Sequence, residues 1–451
     1  MTNGKLTRRS FLAGTSSAAI TAAALPVFVP SSVFGADAPS NKLNVACIGM
    51  GGRMMRSLVR NLDARKQNIV AVCDVDSTRL GRKKAKTYTD YRKLLENAKD
   101  FDAVAVGTPD HWHSRICTAA MQAGKHVFCE KPLTHTVAEA RALGDLARKS
   151  KVVTQTGNQG SASTNFRRSV ELIQAGVCGQ IKEVHIWHPP HGWPSGVNRP
   201  DGADKIPAGL DWDFWVGPSP MRPYKNGIYH PAKWRGWYDF GGGSIADFCC
   251  HSFSMPVRAL GLEYPDRIEI SGKGLGKESF ATSCTVKFHF PAKGKRGAVT
   301  INFYTGGDMP PQEAMAGMKE TFNGPGRTGA LVIGEKATIR AGLWNNQCYL
   351  KMKDDKKFLG GLKHPAGKDV PQSLPRTSGL MEEWIDACLG KDGVKTYSPF
   401  EFGAHVTEIG CTGIVALRMQ KNIEWDGKAM KVKGAPQADA LINPKPRKGW
   451  E

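Results

Sequence analysis

Asp247 and His251 have the residue types and the spacing to act together on a hydroxyl group. They stand four residues apart in Asp247-Phe-Cys-Cys-His251, so on a helix they lie on one face. Alcohol oxidation needs a base whose pKa is near neutrality, and histidine is the side chain that supplies one. A zinc site is a competing interpretation, although no third ligand set accompanies the pair. A capping aspartate beside a buried, hydrogen-bonded histidine is the purely structural alternative.

A second chemical signal lies near the N-terminus, in a loop rich in glycine. Leu43–Ile48 is apolar and leads into Gly49-Met-Gly51-Gly52-Arg53-Met54. A strand that turns into a helix through glycines lets backbone N–H groups approach a pyrophosphate at the helix N-terminus. Met54 occupies the position of the third glycine, so the packing of helix against strand must be relaxed there. The loop predicts a dinucleotide site.

Asp74 ends the next apolar run, Ile69–Cys73, and suits the ribose of such a dinucleotide. A carboxylate there accepts hydrogen bonds from the ribose diol and repels a 2′-phosphate, which favours NAD over NADP. Asp76 could share this task, and Arg79 leaves NADP open. A strand-end acid that caps the following helix is the structural alternative.

Further strands and helices must position these residues. Apolar strands at 101–106, 126–129 and 152–155 alternate with helices near 79–86, 113–123 and 137–150. This alternation predicts a parallel sheet with right-handed crossovers, the Rossmann arrangement, over 42–160. Thr108-Pro109-Asp-His-Trp-His113 and Glu130-Lys131-Pro132 follow two of the strands, at the sheet edge where ligands bind.

The pattern changes after residue 160. Cys284–Phe290 and Ala298–Tyr304 alternate apolar and polar residues, as in a half-solvated antiparallel sheet. Helices near 380–389 and 400–419 complete a predicted α+β domain over 161–435, followed by a tail at 436–451. The predicted fold is α/β: a Rossmann parallel sheet plus an α+β domain with a large, mainly antiparallel open sheet. The segment 306–328 is predicted to be a mobile loop.

Composition excludes several classes of protein. The 451 residues carry a formal charge of +21, but the basic residues are scattered without the interleaved aromatics of a nucleic-acid surface. No apolar run beyond the N-terminal segment is long enough to span a membrane. Eleven cysteines without a Cys-x-x-Cys pair are interpreted as small core residues.

The first 38 residues predict export. Thr7-Arg8-Arg9-Ser10-Phe11-Leu12 matches a twin-arginine signal, and a small-residue apolar stretch follows it over 13–29. The twin-arginine route carries folded proteins, so a periplasmic or other extracytoplasmic location is expected, with the export machinery as a transient partner.

Taken in order, the motifs resemble the Gfo/Idh/MocA family of sugar and polyol oxidoreductases over essentially the whole mature chain. The likeness rests on the glycine loop, TPDHWH, AGKHVFCEKPL and DFxxH. It implies that Lys131 lies at the nicotinamide and substrate, that Asp247 binds substrate, that His251 accepts the proton, and that the chain forms a homo-oligomer. An ion pair with Glu130 is the structural alternative for Lys131. Relatives often have an aspartate where this chain has Ser254, so a role for that carboxylate is absent here.

The residues expected at the cofactor are Gly49, Gly51, Gly52, Arg53, Met54, Asp74, Thr108, Pro109, His113, Glu130 and Lys131.

The long segment from Trp187 to Tyr238 is rich in aromatic residues. Aromatic faces suit sugars, and we expect His191, Tyr229 and Arg235 to line the substrate pocket. Ordinary packing of a long loop is the alternative.

These features together predict an exported NAD(P)-dependent oxidoreductase acting on a sugar, polyol or glycoside, without a metal. A redox-neutral glycosidase that oxidises, eliminates, hydrates and reduces is the first alternative. A non-catalytic sugar-binding protein on the same fold is the second. Because free NAD is scarce outside the cytoplasm, the cofactor is expected to be tightly bound.

Overall fold

The computed structural model describes residues 41–82 and 84–451, and Lys42–Glu451 form one compact unit. The predicted twin-arginine signal lies outside the described residues. Two sheets make up the unit, one of six strands and one of ten.

The six-stranded sheet is entirely parallel, with the strand order β3-β2-β1-β4-β5-β6, which confirms the predicted Rossmann arrangement. The residues of β4 are all buried because helices cover both faces of the sheet. The strands are β1 (Asn44–Ile48), β2 (Asn68–Cys73), β3 (Lys86–Tyr88), β4 (Ala103–Val106), β5 (His126–Cys129) and β6 (Thr154–Thr156).

Helices connect these strands. The first, α1, begins with π-helical turns over Met54–Val59 and continues as an α-helix over Arg60–Ala64. A capping box of Thr136 and Glu139 fixes the start of α4. The other helices of this part are α2 (Tyr91–Leu95), α3 (Asp110–Gln122) and α4 (Val137–Lys149).

The helix predicted near 79–86 is wrong. The structure has a 3₁₀ segment at Ser77–Arg82, and Lys86–Tyr88 pairs with β2 as the edge strand β3. Basic residues in a short strand are common at exposed sheet edges because they discourage pairing with other chains. The polar residues near 79–86 are spaced as in a helix, so their pattern does not indicate an edge strand.

The ten-stranded sheet is antiparallel except where β10 runs parallel to β7, which confirms the predicted large open sheet. Its order is β14-β13-β12-β11-β7-β10-β9-β8-β15-β16. The strands are β7 (Ile181–His188), β8 (Arg267–Lys273), β9 (Ser283–Phe290), β10 (Val299–Thr305), β11 (Gly329–Gly334), β12 (Ala337–Arg340), β13 (Tyr349–Met352), β14 (Leu359–Gly360), β15 (Ile423–Asp426) and β16 (Lys431–Val432).

The remaining helices pack on this sheet or return to the first one. They are α5 (Thr164–Gln174), α6 (Trp212–Val216), α7 (Gly243–Ser252), α8 (Ser254–Leu260), α9 (Met318–Phe322), α10 (Leu380–Cys388), α11 (Phe400–Met419) and α12 (Asp439–Ile442). The segment predicted to be a mobile loop contains α9, whose Met318 is buried against Trp187 and Leu331 of the large sheet.

Two late segments belong with the Rossmann sheet rather than with the second domain. Trp384 of α10 packs edge-on against Phe128 of β5 at 5.7 Å, in the same apolar cluster as α1. Trp450 of the predicted tail packs on Trp112 and Phe214. The chain therefore returns to cover the sheet, which a reading of local patterns along the sequence does not reveal.

All eleven cysteines are free thiols, and every one except the partly exposed Cys388 is buried. Among the described residues, no helix is both long and apolar enough to cross a membrane.

Candidate active site

A cavity of about 800 Å³ opens at the carboxyl ends of the parallel strands. The glycine loop, Asp74 and Thr108 line one side of it, while Asp247 and His251 of α7 line the other. The predicted nucleotide-binding residues and the predicted pair of Asp247 and His251 therefore line the same cavity.

Gly49 makes the tight turn after β1. It has φ +85, and its N–H donates to Cys73 O at 2.8 Å. A Cβ at this position would lie 2.6 Å from the backbone N of Thr108, so only glycine fits. Gly51, Gly52 and Arg53 follow and line the cavity, as expected for a phosphate-binding turn.

Met54 replaces the usual third glycine, and the structure compensates in two ways. Its side chain is fully buried and lies against Gly107, where a Cβ would come within 3.3 Å of Met54 Cε. The first turns of α1 are π-helical, which widens the helix at this contact. Because Gly107 has no Cβ, there is space for the Met54 side chain, and a glycine is not needed at position 54.

Asp74 lies buried at the end of β2 and is 8 % exposed. Its Oδ1 accepts a hydrogen bond from the Asp76 N–H at 2.9 Å. Burial raises the pKa of Asp74 to about 6, although the Asp76 N–H and the Arg79 guanidinium oppose the rise. The carboxylate is therefore well suited to a ligand that donates hydrogen bonds to it, such as a ribose diol.

Arg79 covers the glycine loop next to Asp74. Its Nε donates to Asp76 Oδ2 at 2.9 Å, and its Nη2 donates to His230 Nε2 at 2.9 Å. A Cβ at Gly51 would sit 3.0 Å from Arg79 Nη1. Burial and this guanidinium lower the pKa of His230 to about 4, so its imidazole is a neutral acceptor.

His113, predicted at the cofactor, joins two loops of the cavity wall. Its Nδ1 lies 2.7 Å from Pro132 O, and its Nε2 lies 3.0 Å from Thr108 O. Burial lowers its pKa to about 4. A neutral imidazole has one N–H, so His113 donates to one of these two carbonyl oxygens and only contacts the other. His113 itself lines the cavity together with Thr108 and Pro109.

Lys131 and Asp247 form a buried ion pair. Lys131 Nζ donates to Asp247 Oδ1 at 2.7 Å and to its backbone O at 3.0 Å, while Arg235 Nε lies 3.5 Å from the same Oδ1. Burial by itself raises the pKa of Asp247, but the two cations outweigh it and lower the pKa to about 2. The peptide bond between Lys131 and Pro132 is cis.

Glu130 does not pair with Lys131. Its Oε1 accepts from Arg53 Nε at 2.9 Å, and its Oε2 is buried without a partner among the described residues. The ion-pair alternative for Lys131 is thereby removed, because Glu130 is tied to the glycine loop instead.

His251 lies one helical turn beyond Asp247 and is 2 % exposed. Its Nδ1 lies 3.2 Å from Asn158 Oδ1, and the Trp344 ring stacks on it at 5.4 Å. Burial and the Lys131 cation lower its pKa to about 3, below the near-neutral value expected from the sequence. The imidazole is therefore uncharged and can accept a proton. The described residues contain no cluster of three or more metal ligands, so the zinc alternative has no support there.

The three residues assigned to substrate from the aromatic segment have different places. Arg235 lines the cavity. His191 is stacked between Trp193 and Phe248 at 4.3 and 5.0 Å, behind the Trp193 ring that lines the cavity. Tyr229 is 1 % exposed inside an aromatic cluster, so packing accounts for it and its assignment to the pocket is wrong.

Sequence reasoning missed several residues of the site. Asp110, within TPDHWH, lines the cavity, and burial raises its pKa well above the usual range. The motif itself could have indicated Asp110. Asn158 and Trp344 carried no signal, since they come from the end of β6 and from the turn between β12 and β13.

The site fits a dinucleotide. Gly49, Gly51 and Gly52 line the cavity with backbone alone, Asp74 offers a carboxylate at the ribose end, and Thr108 Oγ1 is a buried polar atom without a partner among the described residues. These features match the needs of pyrophosphate, ribose and carboxamide groups.

A second cavity, of about 560 Å³, adjoins the first. Glu130, Gln159 and Trp344 line both spaces. The remaining polar side chains of the second cavity are Ser57, Asn61, Ser163, Asn346, Ser378 and Glu382. Hydroxyl, amide and carboxylate groups without a cation suit a neutral, hydroxylated ligand.

Two family models match separate segments of the chain. Residues 43–158 match the model of the Gfo/Idh/MocA oxidoreductase family, NAD-binding Rossmann fold. Residues 191–290 match the model of that family's C-terminal alpha/beta domain. The first sheet is therefore an NAD-binding Rossmann domain.

Curated relatives match about a third of the chain. An inositol 2-dehydrogenase of Salmonella typhimurium is 31% identical over 155 residues, which is 33% of this chain and 45% of the relative. A glycosyl hydrolase family 109 protein of Shewanella sp. strain ANA-3 is 30% identical over 172 residues, which is 34% of this chain and 36% of the relative. The chain thus spans less than half the length of the curated relatives it matches.

Solved structures share the fold over most of the chain. An inositol dehydrogenase homolog from Azotobacter vinelandii, complexed with NADH and myo-inositol, gives a TM-score of 0.57 at 18% identity, covering 85% of this chain and 98% of the other. The WlbA dehydrogenase of Bordetella pertussis, in complex with NADH and UDP-GlcNAcA, gives 0.58 at 15% identity, with coverage of 85% and 98%.

Proposed function

Since the chain belongs to the Gfo/Idh/MocA family of NAD-binding oxidoreductases, we propose that it transfers hydride between NAD and a CH–OH group of a sugar, polyol or glycoside. The observation that carries the proposal is the ion pair of Lys131 and Asp247 one helical turn from an uncharged His251. A hydrogen-bond donor and a proton acceptor thus meet in the cavity that holds the glycine loop.

Each residue has a separate task in alcohol oxidation. A nicotinamide dinucleotide held by the glycine loop and Asp74 would supply the hydride acceptor. His251 takes the hydroxyl proton, while Lys131 donates a hydrogen bond to the oxygen as the carbonyl develops. Asp247 holds the Lys131 side chain in the site, because its carboxylate accepts a hydrogen bond from Nζ at 2.7 Å.

The low pKa of His251 keeps it available as a base. Burial and the Lys131 cation lower this pKa to about 3, so the imidazole of the free protein is unprotonated and can take a proton from substrate.

The proposal includes export and tight NAD. The twin-arginine motif at Arg8-Arg9 supports a location where free NAD is scarce. The cofactor would then enter before export and be recycled in place, by a second substrate or by a redox-neutral cycle. Mass spectrometry of small molecules released on denaturing the purified exported protein should detect about one NAD per chain. Rapid exchange of that NAD with added labelled NAD would refute retention.

A redox-neutral glycosidase is the second candidate, and the second cavity favours it. A glycoside reacting at His251 could place its leaving group beyond Trp344, in a cavity lined by hydroxyl and amide groups. Aryl glycosides offered to the NAD-loaded protein would decide between the two. Release of the aryl group without net NADH supports the glycosidase, and NADH formation without release supports plain oxidation.

A further inference from the structure

Three buried side chains, His251, Asn158 and Ser254, form a continuous hydrogen-bonded chain behind the cavity. Their exposed fractions are 2, 1 and 2 %. His251 Nδ1 lies 3.2 Å from Asn158 Oδ1, Asn158 Nδ2 donates to Ser254 Oγ at 2.6 Å, and Ser254 Oγ donates to Cys250 O at 2.6 Å. This series of hydrogen bonds therefore ends on the backbone of α7, the helix that carries His251.

In this series of hydrogen bonds, only one assignment of donors and acceptors is consistent. A serine hydroxyl has a single proton, and Ser254 gives it to the Cys250 carbonyl. Its oxygen must then accept from Asn158, which turns the amino group of the amide towards Ser254 and its carbonyl oxygen towards His251. An amide oxygen can only accept, so Nδ1 of the uncharged imidazole carries the hydrogen and Nε2 is left with a lone pair.

Asn158 cannot easily turn away from this arrangement. Its backbone N–H donates to Thr156 O at 2.6 Å, and its backbone O accepts from Ser161 N at 3.1 Å and from Ser161 Oγ at 2.8 Å. The residue is held on both sides of its Cα, so only rotation of the amide group remains free. Ser254 is the group that fixes that rotation.

The groups around His251 leave Nε2 for a ligand. Trp344 stacks on the imidazole, Asp247 and Lys131 lie one turn away on the cavity side, and Arg53 acts at longer range. No described residue forms a hydrogen bond with Nε2, and His251 lines the cavity.

We propose that Ser254 is a positioning residue: through Asn158 it holds His251 in the tautomer whose Nε2 can accept the substrate proton. The use of Nε2 as the base rests on the proposed function, whereas the tautomer itself does not. Without the hydroxyl, the amide can reverse and offer its amino group to Nδ1. The opposite tautomer then becomes accessible, with Nε2 protonated and unable to act as a base.

The tautomer can be measured directly by ¹⁵N NMR of histidine-labelled, NAD-loaded protein, with His251→Gln used to assign the resonance. In the wild type we expect Nδ1 to be protonated and Nε2 to be bare. Ser254→Ala should shift the two nitrogen resonances towards each other, as the tautomers mix, and Ser254→Thr should restore the wild-type spectrum. An unchanged spectrum in Ser254→Ala, or a protonated Nε2 in the wild type, would overturn the proposal.

Ser252→Ala is the matched control. Ser252 Oγ also donates to the carbonyl four residues earlier, Phe248 O at 2.9 Å, and Ser252 is fully buried at the end of α7, two residues before Ser254. The two alanine variants should therefore lose similar thermal stability, while only Ser254→Ala alters the His251 resonances.

Kinetics supply the second readout. On any sugar or polyol that the wild type oxidises, Ser254→Ala should lower kcat about tenfold with little change in KM, and Ser254→Thr should restore it. A wild type that oxidises no sugar or polyol would refute the proposed function, while the NMR result would still decide the tautomer.

Discussion

The two ends of the main cavity each hold a buried carboxylate, and the two carboxylates behave in opposite ways. Asp247 lies 2.7 Å from the Lys131 ammonium, and its pKa falls to about 2. Asp74 is 8 % exposed and has no side-chain donor at comparable distance, so burial raises its pKa to about 6. Burial by itself disfavours charge, and a close cation reverses the sign.

The two ends of the cavity therefore differ in whether the protein or the ligand supplies the partner of the carboxylate. At the Asp247 end the protein supplies its own counter-charge, so the geometry around Lys131 exists before any ligand binds. At the Asp74 end the carboxylate lacks a comparable donor, and a ribose diol would supply it. One end is preorganised, and the other is completed by its ligand.

Removing the counter-charge should produce the largest effect. We expect Lys131→Ala to lower the rate of hydride transfer about 10²–10⁴-fold, because the oxygen loses its donor and Asp247 keeps only the more distant Arg235 as a counter-charge. The dissociation constant for NAD should change only a few-fold. Turnover and NAD titration measure the two quantities.

Lys125→Ala is the control for that change. Lys125 Nζ donates to Phe101 O at 2.9 Å at the far end of β5, away from the cavity. It should leave both quantities unchanged. Near-normal turnover in Lys131→Ala would remove the lysine from the mechanism.

The Asp74 end should respond to pH instead. Ribose hydroxyls donate to the ionised carboxylate, so bound NAD lowers the pKa of Asp74, which is about 6 in the free protein. NAD affinity should be complete above that pH and weaken as the pH falls through about 6, by up to about tenfold per pH unit. Calorimetric titration across this range measures the trend.

Asp74→Asn removes the titrating group and tests the assignment. The variant should bind NAD more weakly at neutral pH and lose the pH dependence. The proposed difference between the two carboxylates would be refuted by an NAD affinity of the wild type that does not change around pH 6. It would also be refuted if Asp74→Asn kept the same dependence of NAD affinity on pH.

The smallest effect concerns the packing under the glycine loop. Gly107→Ala should destabilise the protein by about 1 kcal/mol, because the new Cβ would meet Met54 Cε at 3.3 Å. Adding Met54→Ala should relieve that clash, so thermal unfolding of the double variant should show coupling rather than a sum. Additive losses would show that the two residues do not compensate each other.

Most of the fold could be predicted from the sequence, because the periodicity of an element and the signals at its ends depend on residues that are close together in the chain. Buried strands such as β1 and β4, and the capped helix α4, carry their own periodicity and end signals. The edge strand β3 has only three residues and no apolar period, and it was mistaken for part of a helix. The packing of α10 under β5 depends on contacts between residues far apart in the chain.

The candidate site divides in the same way. Gly49, Asp74, Lys131, Asp247 and His251 stand in recognisable spacings, and the structure brings them to one cavity. Asn158 and Trp344 meet His251 only through the tertiary fold. Tyr229 illustrates the converse error, since an aromatic side chain that could bind a sugar is equally able to fill a core.

The eleven free thiols have a consequence for where this fold can exist. No described cysteine is cross-linked, so the stability of the fold does not depend on the redox potential of its surroundings. Even at the partly exposed Cys388, burial raises the pKa, which keeps the sulfur protonated and slow to oxidise. The fold therefore needs no disulfide in either a reducing or an oxidising compartment, which is compatible with the proposed export in the folded state.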